Sequence, residues 1–194
     1  SDEQEIHTSN LAFTWRSGLR YSFNENSSLF GNYSRGRRPE VLQFTSAGEE
    51  QVLDAEIVNS FDLGYKASVD QRLWFDIGLF YYNYLNFQTS AWVADPGTGE
   101  YDYIVKDGGK ASGYGTEVNV KYMVLKELQF FGNYAYIHAR FAEKDVDGAE
   151  QMYANNMFRF TPDHSFAIGL NARINIGKKI ILFGIPSYSY KTKM

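Results

Sequence analysis

The sequence of 194 residues contains no cysteine, which excludes disulfide bonds and thiolate metal sites. It has no apolar run long enough for a transmembrane helix. Its opening residues, SDEQEIHTSN, are polar and acidic and contain no apolar core of a secretory signal peptide. No basic tract is present and the formal net charge is -4, so we expect no nucleic-acid partner.

The chain is rich in glycine and aromatic residues, with Gly 17, Tyr 15 and Phe 15. Apolar and polar residues alternate along FDLGYKASV at 61–69 and again along LWFDIGLFY at 73–81. This period of two is that of a β-strand with one apolar face. The same pattern recurs along the chain and predicts an all-β protein of about eight antiparallel up-and-down strands, at roughly 10–23, 27–37, 56–69, 72–92, 101–124 with an irregular middle, 127–142, 157–176 and 180–192.

The predicted connections alternate between two lengths. Short turns lie at 24–27, 70–71, 125–127 and 177–179, and long loops lie at 38–55, 93–109 and 143–156. One end of the sheet would then carry only tight turns and the other only long loops, as in outer-membrane barrels. Aromatic residues lie largely towards the strand ends, where interfacial girdles would lie. We therefore interpret the apolar rows as lipid-facing and the polar rows as lining a lumen.

Two other interpretations of the strands stay open. A soluble, lipocalin-like binding cup would turn the apolar rows inward. A complete eight-stranded outer-membrane barrel would be a structural, adhesive or lipid-modifying protein.

Four segments together resemble one family, the TonB-dependent outer-membrane receptors. They are LFGNYSRGRRPEVL (29–42), EIVNSFDLGYKASV (56–69), GGKASGYGTEVNVKY (108–122) and FRFTPDHSFAIGLNARI (158–174). The resemblance implies a transporter and not an enzyme, located in the outer membrane of a Gram-negative bacterium. It implies import of a scarce ligand, such as a ferric siderophore or similar iron chelate, energised through TonB.

The resemblance also implies a barrel of about 22 strands that encloses a plug. No plug or TonB box is recognisable in the sequence, so we expect residues 1–194 to be part of such a barrel. Contacts with TonB and the plug would use parts outside this sequence, while the strands here would contact outer-membrane lipid. Short, periplasmic first and last turns would place both chain ends on the extracellular side, as expected for a segment.

We predict that ligand contacts come from the long-loop end. The candidates are Arg37, Arg38, Trp92, Tyr101 and Tyr103. The arginines would attract an anionic chelate or hydrogen-bond its carboxylates. The alternative is that they pair with lumen carboxylates or with lipopolysaccharide phosphates.

No arrangement of residues indicates catalysis, and we expect no cofactor. The three histidines, His7, His138 and His164, are not at metal-ligand spacing, so we expect no metal site. The acidic stretch from Asp145 to Glu150 is interpreted as a solvated loop, because it lacks the full ligand pattern of a calcium loop.

Overall fold

The computed structural model describes residues 12–44, 50–94, 99, 101–145, 147–151 and 153–193. In this part of the chain, no helix is long and apolar enough to cross a membrane. The strands are β1 (Trp15–Asn24), β2 (Ser27–Arg38), β3 (Val41–Phe44), β4 (Glu50–Leu53), β5 (Glu56–Val69), β6 (Leu73–Leu85), β7 (Gln88–Ala94), β8 (Tyr101–Asp107), β9 (Ala111–Leu125), β10 (Leu128–Phe141), β11 (His164–Ile176), β12 (Ile180–Gly184) and β13 (Ser187–Lys191).

Nine of these strands form one antiparallel sheet in the order β1-β2-β5-β6-β9-β10-β11-β12, with β13 also paired to β11. The last two strands are successive parts of one position in the sheet, because β12 pairs with the end of β11 and β13 with its beginning. The chain between them contains Pro186, which has no N–H to donate to a ladder. The predicted all-β, up-and-down architecture is therefore confirmed.

Tight turns join strands at one end of the sheet, as predicted. Between β5 and β6, Asp70 and Gln71 both have positive φ, 50° and 54°, and the Arg72 N–H donates to the Val69 carbonyl at 3.0 Å. This is the geometry of a two-residue hairpin whose twist matches that of its strands. The β1–β2 turn is held instead by the Asn24 side chain, which accepts a hydrogen bond from the Asn26 N–H at 2.8 Å.

The strand register sorts the two faces of the sheet. Leu63 of β5 is opposite Leu79 of β6, and Leu79 is 53 % exposed. The opposite face carries polar side chains, among them Lys66 and Asp76, which are also register partners. In the described residues no large side chain is fully buried, so the main sheet is a single layer. A soluble cup would need the apolar face packed inside, whereas here it is open.

Two predicted strands are each interrupted at the long-loop end. The predicted fourth strand, 72–92, breaks after β6 at Asn86, whose φ is 55°, and the chain resumes as β7. The predicted fifth strand, 101–124, breaks between β8 and β9 at Gly109, whose φ is 75°. The first break was not predicted, because Leu85 and Phe87 continue the alternation of β6, whereas the second lies in the middle of 101–124, which was predicted to be irregular.

The long connections contain structure of their own. The predicted loop 38–55 includes the β3–β4 hairpin, and β7 pairs with β8 to form a second hairpin that begins before the predicted loop 93–109. The third connection is longer than the predicted 143–156, because β11 begins only at His164 and not at 157. The first strand begins at Trp15, and the predicted strand residues 10 and 11 lie outside the described part.

Candidate functional site

The two predicted arginines lie at the end of β2 and point to opposite faces. Arg37 is opposite Ile57 and Arg38 is opposite Glu56, and successive strand residues alternate between faces. The Arg37 guanidinium forms an ion pair with the carboxylate of Glu40. Arg38 is exposed, and its Nη1 lies 3.4 Å from the Gln88 carbonyl oxygen. The structure therefore does not bring the two arginines together as one anion-binding pair.

The three predicted aromatic residues share one face of the β7–β8 hairpin. Trp92 is opposite Tyr103, with ring centroids 5.1 Å apart, and Tyr101 lies two residues before Tyr103 on the same side. Their exposed fractions are 67 %, 61 % and 68 % for Trp92, Tyr103 and Tyr101. A solvent-exposed aromatic surface of this size is available for contact with a planar or apolar ligand group.

A second aromatic cluster lies at the same end of the sheet, and sequence reasoning missed it. The Phe87 ring lies 5.3 Å from that of Phe141 and 5.0 Å from that of Phe158. Phe141 and Phe158 are themselves 5.2 Å apart, and Tyr153 lies 5.6 Å from Phe141. Phe87 comes from the break between β6 and β7, whereas Phe141 ends β10 and Tyr153 and Phe158 lie in the connection that follows it. We call this group the mouth cluster.

Main-chain hydrogen bonds hold the mouth cluster in place. The Phe87 N–H donates to the Gly109 carbonyl at 2.8 Å, and the Gly108 N–H donates to the Phe87 carbonyl at 2.7 Å. On the other side, Phe141 exchanges main-chain bonds with the connection after β10, donating to Asn156 and accepting from Asn155, both at 3.0 Å. The long connection thus folds back over the end of β10 and brings Phe158 against Phe87.

A cavity of about 370 Å³ opens beside the mouth cluster. Its volume is at the lower end of the range of small-molecule sites. Arg159 is the one charged residue among its lining residues, which are Phe87, Thr89, Ser90, Phe141, Tyr153, Asn156, Met157, Phe158, Arg159 and Thr161. Such a lining offers apolar surface to a ring, hydroxyl and amide groups for orientation, and one cation for an anionic substituent.

Little in the sequence could have revealed this cavity. Phe141 ends a strand, whereas Phe158 lies in an irregular segment, so no period relates them. The available signal was the aromatic residues in and beside the predicted long loops. Their contact depends on how the connection folds back, which a one-dimensional pattern does not encode.

The histidines have aromatic neighbours in the sheet. His138 packs on Tyr114 with ring centroids 5.1 Å apart, and Nδ1 of His164 lies 2.9 Å from the hydroxyl oxygen of Tyr134. His7 lies outside the described residues. Within the described ranges, no group of three or more His, Cys, Asp or Glu is placed to hold a metal ion.

A single-layered antiparallel meander, apolar on one face and polar on the other, with tight turns at one end and structured loops at the other, defines a wall segment of an outer-membrane barrel. The family described as "TonB dependent receptor-like, beta-barrel" matches residues 2–192. The chain belongs to this family of TonB-dependent receptors. Its members are barrels of the Gram-negative outer membrane and are transporters, not enzymes.

Solved receptors share this fold at low sequence identity. The ferric yersiniabactin uptake receptor FyuA from Yersinia pestis aligns with a TM-score of 0.66 and 16% identity, over 84% of this chain and 23% of that one. The copper transporter OprC aligns with a TM-score of 0.61 and 11% identity, over 82% and 24%. The alcaligin outer-membrane receptor FauA from Bordetella pertussis aligns with a TM-score of 0.59 and 18% identity, over 94% and 30%. The chain thus spans less than a third of these receptors.

Proposed function

We propose that this chain forms part of the wall and mouth of a receptor that binds and imports a scarce ligand, and that the ligand is a ferric siderophore or similar iron chelate. The observation that carries the proposal is the mouth-cluster cavity, which combines aromatic walls with the single cation of Arg159. The exposed aromatic face of Trp92, Tyr101 and Tyr103 lies on a neighbouring hairpin and offers a first contact surface.

The chemistry of the cavity suits a chelate better than a bare metal ion. A bare cation requires several oxygen, nitrogen or sulfur ligands at short distance. A chelate presents an organic surface, which aromatic walls bind by excluding water, and an anionic charge, which Arg159 attracts. FyuA is named for the uptake of ferric yersiniabactin, which agrees with an iron-chelate ligand.

Import by such a receptor would require partners outside this chain. The family resemblance implies that a plug closes the lumen and that TonB supplies energy from the inner membrane. The polar face of the main sheet would then line the channel beside the plug. The apolar face would contact outer-membrane lipid.

Iron uptake in a Gram-negative strain that lacks its own chelate receptors would test the proposal. The strain would express the whole receptor polypeptide that contains this chain and would be given a panel of radiolabelled ferric siderophores. We expect uptake of at least one of them, and we expect Phe158→Ala to raise the half-saturating concentration about tenfold, as for a buried aromatic contact.

The matched control is Phe160→Ala. Phe160 lies two residues away and is 84 % exposed, and it does not line the cavity. It should leave uptake close to that of the parent receptor. Uptake of none of the ferric chelates, or equal effects of the two substitutions, would contradict the proposal.

A further inference from the structure

We infer that Gln43 and Gln88 are positioning residues that lock the β3–β4 and β7–β8 hairpins into one unit and so hold one wall of the mouth-cluster cavity. Each glutamine belongs to one hairpin and hydrogen-bonds the main chain at or beside the other. Neither side chain lines the cavity.

The Gln43 side chain replaces a neighbouring strand at the edge of β8. Its Nε2 donates to the Val105 carbonyl at 2.6 Å, and its Oε1 accepts from the Val105 N–H at 3.0 Å. Both main-chain groups of Val105 thus point away from β7 and towards β3. An edge strand leaves such groups without a ladder partner, and the primary amide supplies one donor and one acceptor to match them.

The Gln88 side chain makes the reciprocal contact at the base of the β3–β4 hairpin. Its Nε2 donates to the Pro39 carbonyl at 2.9 Å and to the Asp54 carbonyl at 3.0 Å. These two residues flank the hairpin on either side, so one amide group hydrogen-bonds the chain at both ends of the hairpin. Gln88 is only 5 % exposed, and its N–H donates to Oε2 of Glu56 at 2.8 Å.

The two contacts act together because they run in opposite directions between the same hairpins. Separating the hairpins breaks four side-chain bonds, two at Gln43 and two at Gln88, and leaves buried polar groups without partners. Gln88 lies between Phe87 and Thr89, which both line the cavity. The β3–β4 hairpin therefore fixes the start of β7, and with it the cavity wall, without touching a ligand.

Hydrogen–deuterium exchange of the whole receptor in detergent micelles tests the lock without any ligand. We expect Gln43→Ala to speed exchange in the peptide that spans β8 about tenfold, because the Val105 N–H loses its acceptor. We expect Gln88→Leu, which keeps the side-chain size, to speed exchange in β3 and β4 by a similar factor. The exchange rate is thus measured in the hairpin opposite to the one that carries the substitution.

Val52→Ala is the control for Gln43→Ala. Val52 is an exposed residue of the same hairpin, and its shortening should leave β8 exchange unchanged. Gln43→Glu gives a second readout that a general loss of structure would not produce. Ionised glutamate still accepts from the Val105 N–H but is repelled by the Val105 carbonyl, whereas protonated glutamate donates to that carbonyl. Protection of β8, corrected for the intrinsic pH dependence of exchange, should therefore increase when pH falls below about 4. Exchange changes confined to the mutated hairpin, or β8 protection independent of pH in Gln43→Glu, would overturn the lock.

The effect on ligand rests on the proposed function. In the receptor that imports a ferric siderophore, Gln43→Ala and Gln88→Leu should each weaken binding of that siderophore several-fold, with Val52→Ala unchanged. If the parent receptor binds no ferric siderophore while the exchange results hold, the proposed function fails and the lock stands. If binding is normal and unaffected by both glutamine substitutions, the positioning role is wrong.

Discussion

Tyr82 of β6 and Gly113 of β9 are directly opposite each other in the sheet, and the tyrosine ring covers the glycine. A Cβ at Gly113 would collide with that ring. The same relation recurs across the polar face between Phe30 and Gly64, Phe80 and Gly115, and Phe131 and Gly169. Rings that lie over glycines keep aromatic surface on the polar face of the sheet while the strands stay regularly paired.

Substitution of Gly113 should therefore destabilise the barrel. We expect Gly113→Ala to cost about 1–3 kcal/mol, because the new methyl group must displace the Tyr82 ring. Samples of the whole receptor are heated to a series of temperatures and run on a gel without boiling. The measurement is the temperature at which the fast-migrating folded band is lost. Gly78→Ala is the matched control, because no atom lies within 4 Å of a Cβ built there. Equal midpoints for the two variants would show that the ring moves aside freely.

Substitution on the apolar face should distinguish lipid from water. We expect Leu79→Arg to cost about 2–4 kcal/mol, because a charge near the bilayer midplane is poorly solvated. Asn171→Arg, on the polar face, should be much milder. Both effects are measured as the yield of folded receptor when the urea-unfolded protein is refolded into lipid vesicles. Spin labels at Leu63, Leu79, Val120 and Ile168 should report acyl chains, and contact with bulk water at these positions would contradict the membrane orientation.

The ion pair of Arg140 and Asp163 should contribute little stability and respond to salt. Nη2 of Arg140 lies 3.1 Å from both carboxylate oxygens of Asp163, at the long-loop ends of β10 and β11. The side chains keep 22% and 31% of their surface exposed. We therefore expect Asp163→Asn to cost less than about 1 kcal/mol, and the difference to shrink at high ionic strength. The midpoint of thermal unfolding of each variant is measured at low and at high salt. A large loss of stability that does not depend on salt would indicate an ion pair shielded from solvent.

The exposed aromatic face of the β7–β8 hairpin should assist ligand capture. We expect Trp92→Ala to raise the half-saturating concentration for ferric-siderophore uptake several-fold, because the indole is the largest exposed ring of that hairpin. Phe44→Ala, which shortens an exposed ring on the other hairpin, is the control. An unchanged uptake curve for Trp92→Ala would show that this aromatic face does not contribute to ligand binding.

Part of the site could be predicted from the sequence and part could not. The alternation of short and long connections placed Trp92, Tyr101 and Tyr103 at one end of the sheet, and the structure places Trp92 and Tyr103 side by side there. Arg37 and Arg38 were both predicted as candidate ligand contacts, but neighbouring residues in a strand point to opposite faces, so they do not lie on one surface. The mouth cluster was missed, because Phe158 was predicted to lie in a strand from 157, whereas it lies in the connection that folds back over the end of β10.

The sequence by itself determined the strand meander, its apolar and polar faces and the family, because alternation with period two and short motifs are local properties. Where the strands of the main sheet end on the long-loop side was decided by tertiary structure, since β7 and β8 pair with each other and not with the main sheet. Tertiary structure also decides the contacts of Gln43 with β8 and of Gln88 with the two residues that flank the β3–β4 hairpin. A single glutamine has no sequence pattern of its own, and its partner depends on which unpaired main-chain groups the folded chain brings within reach.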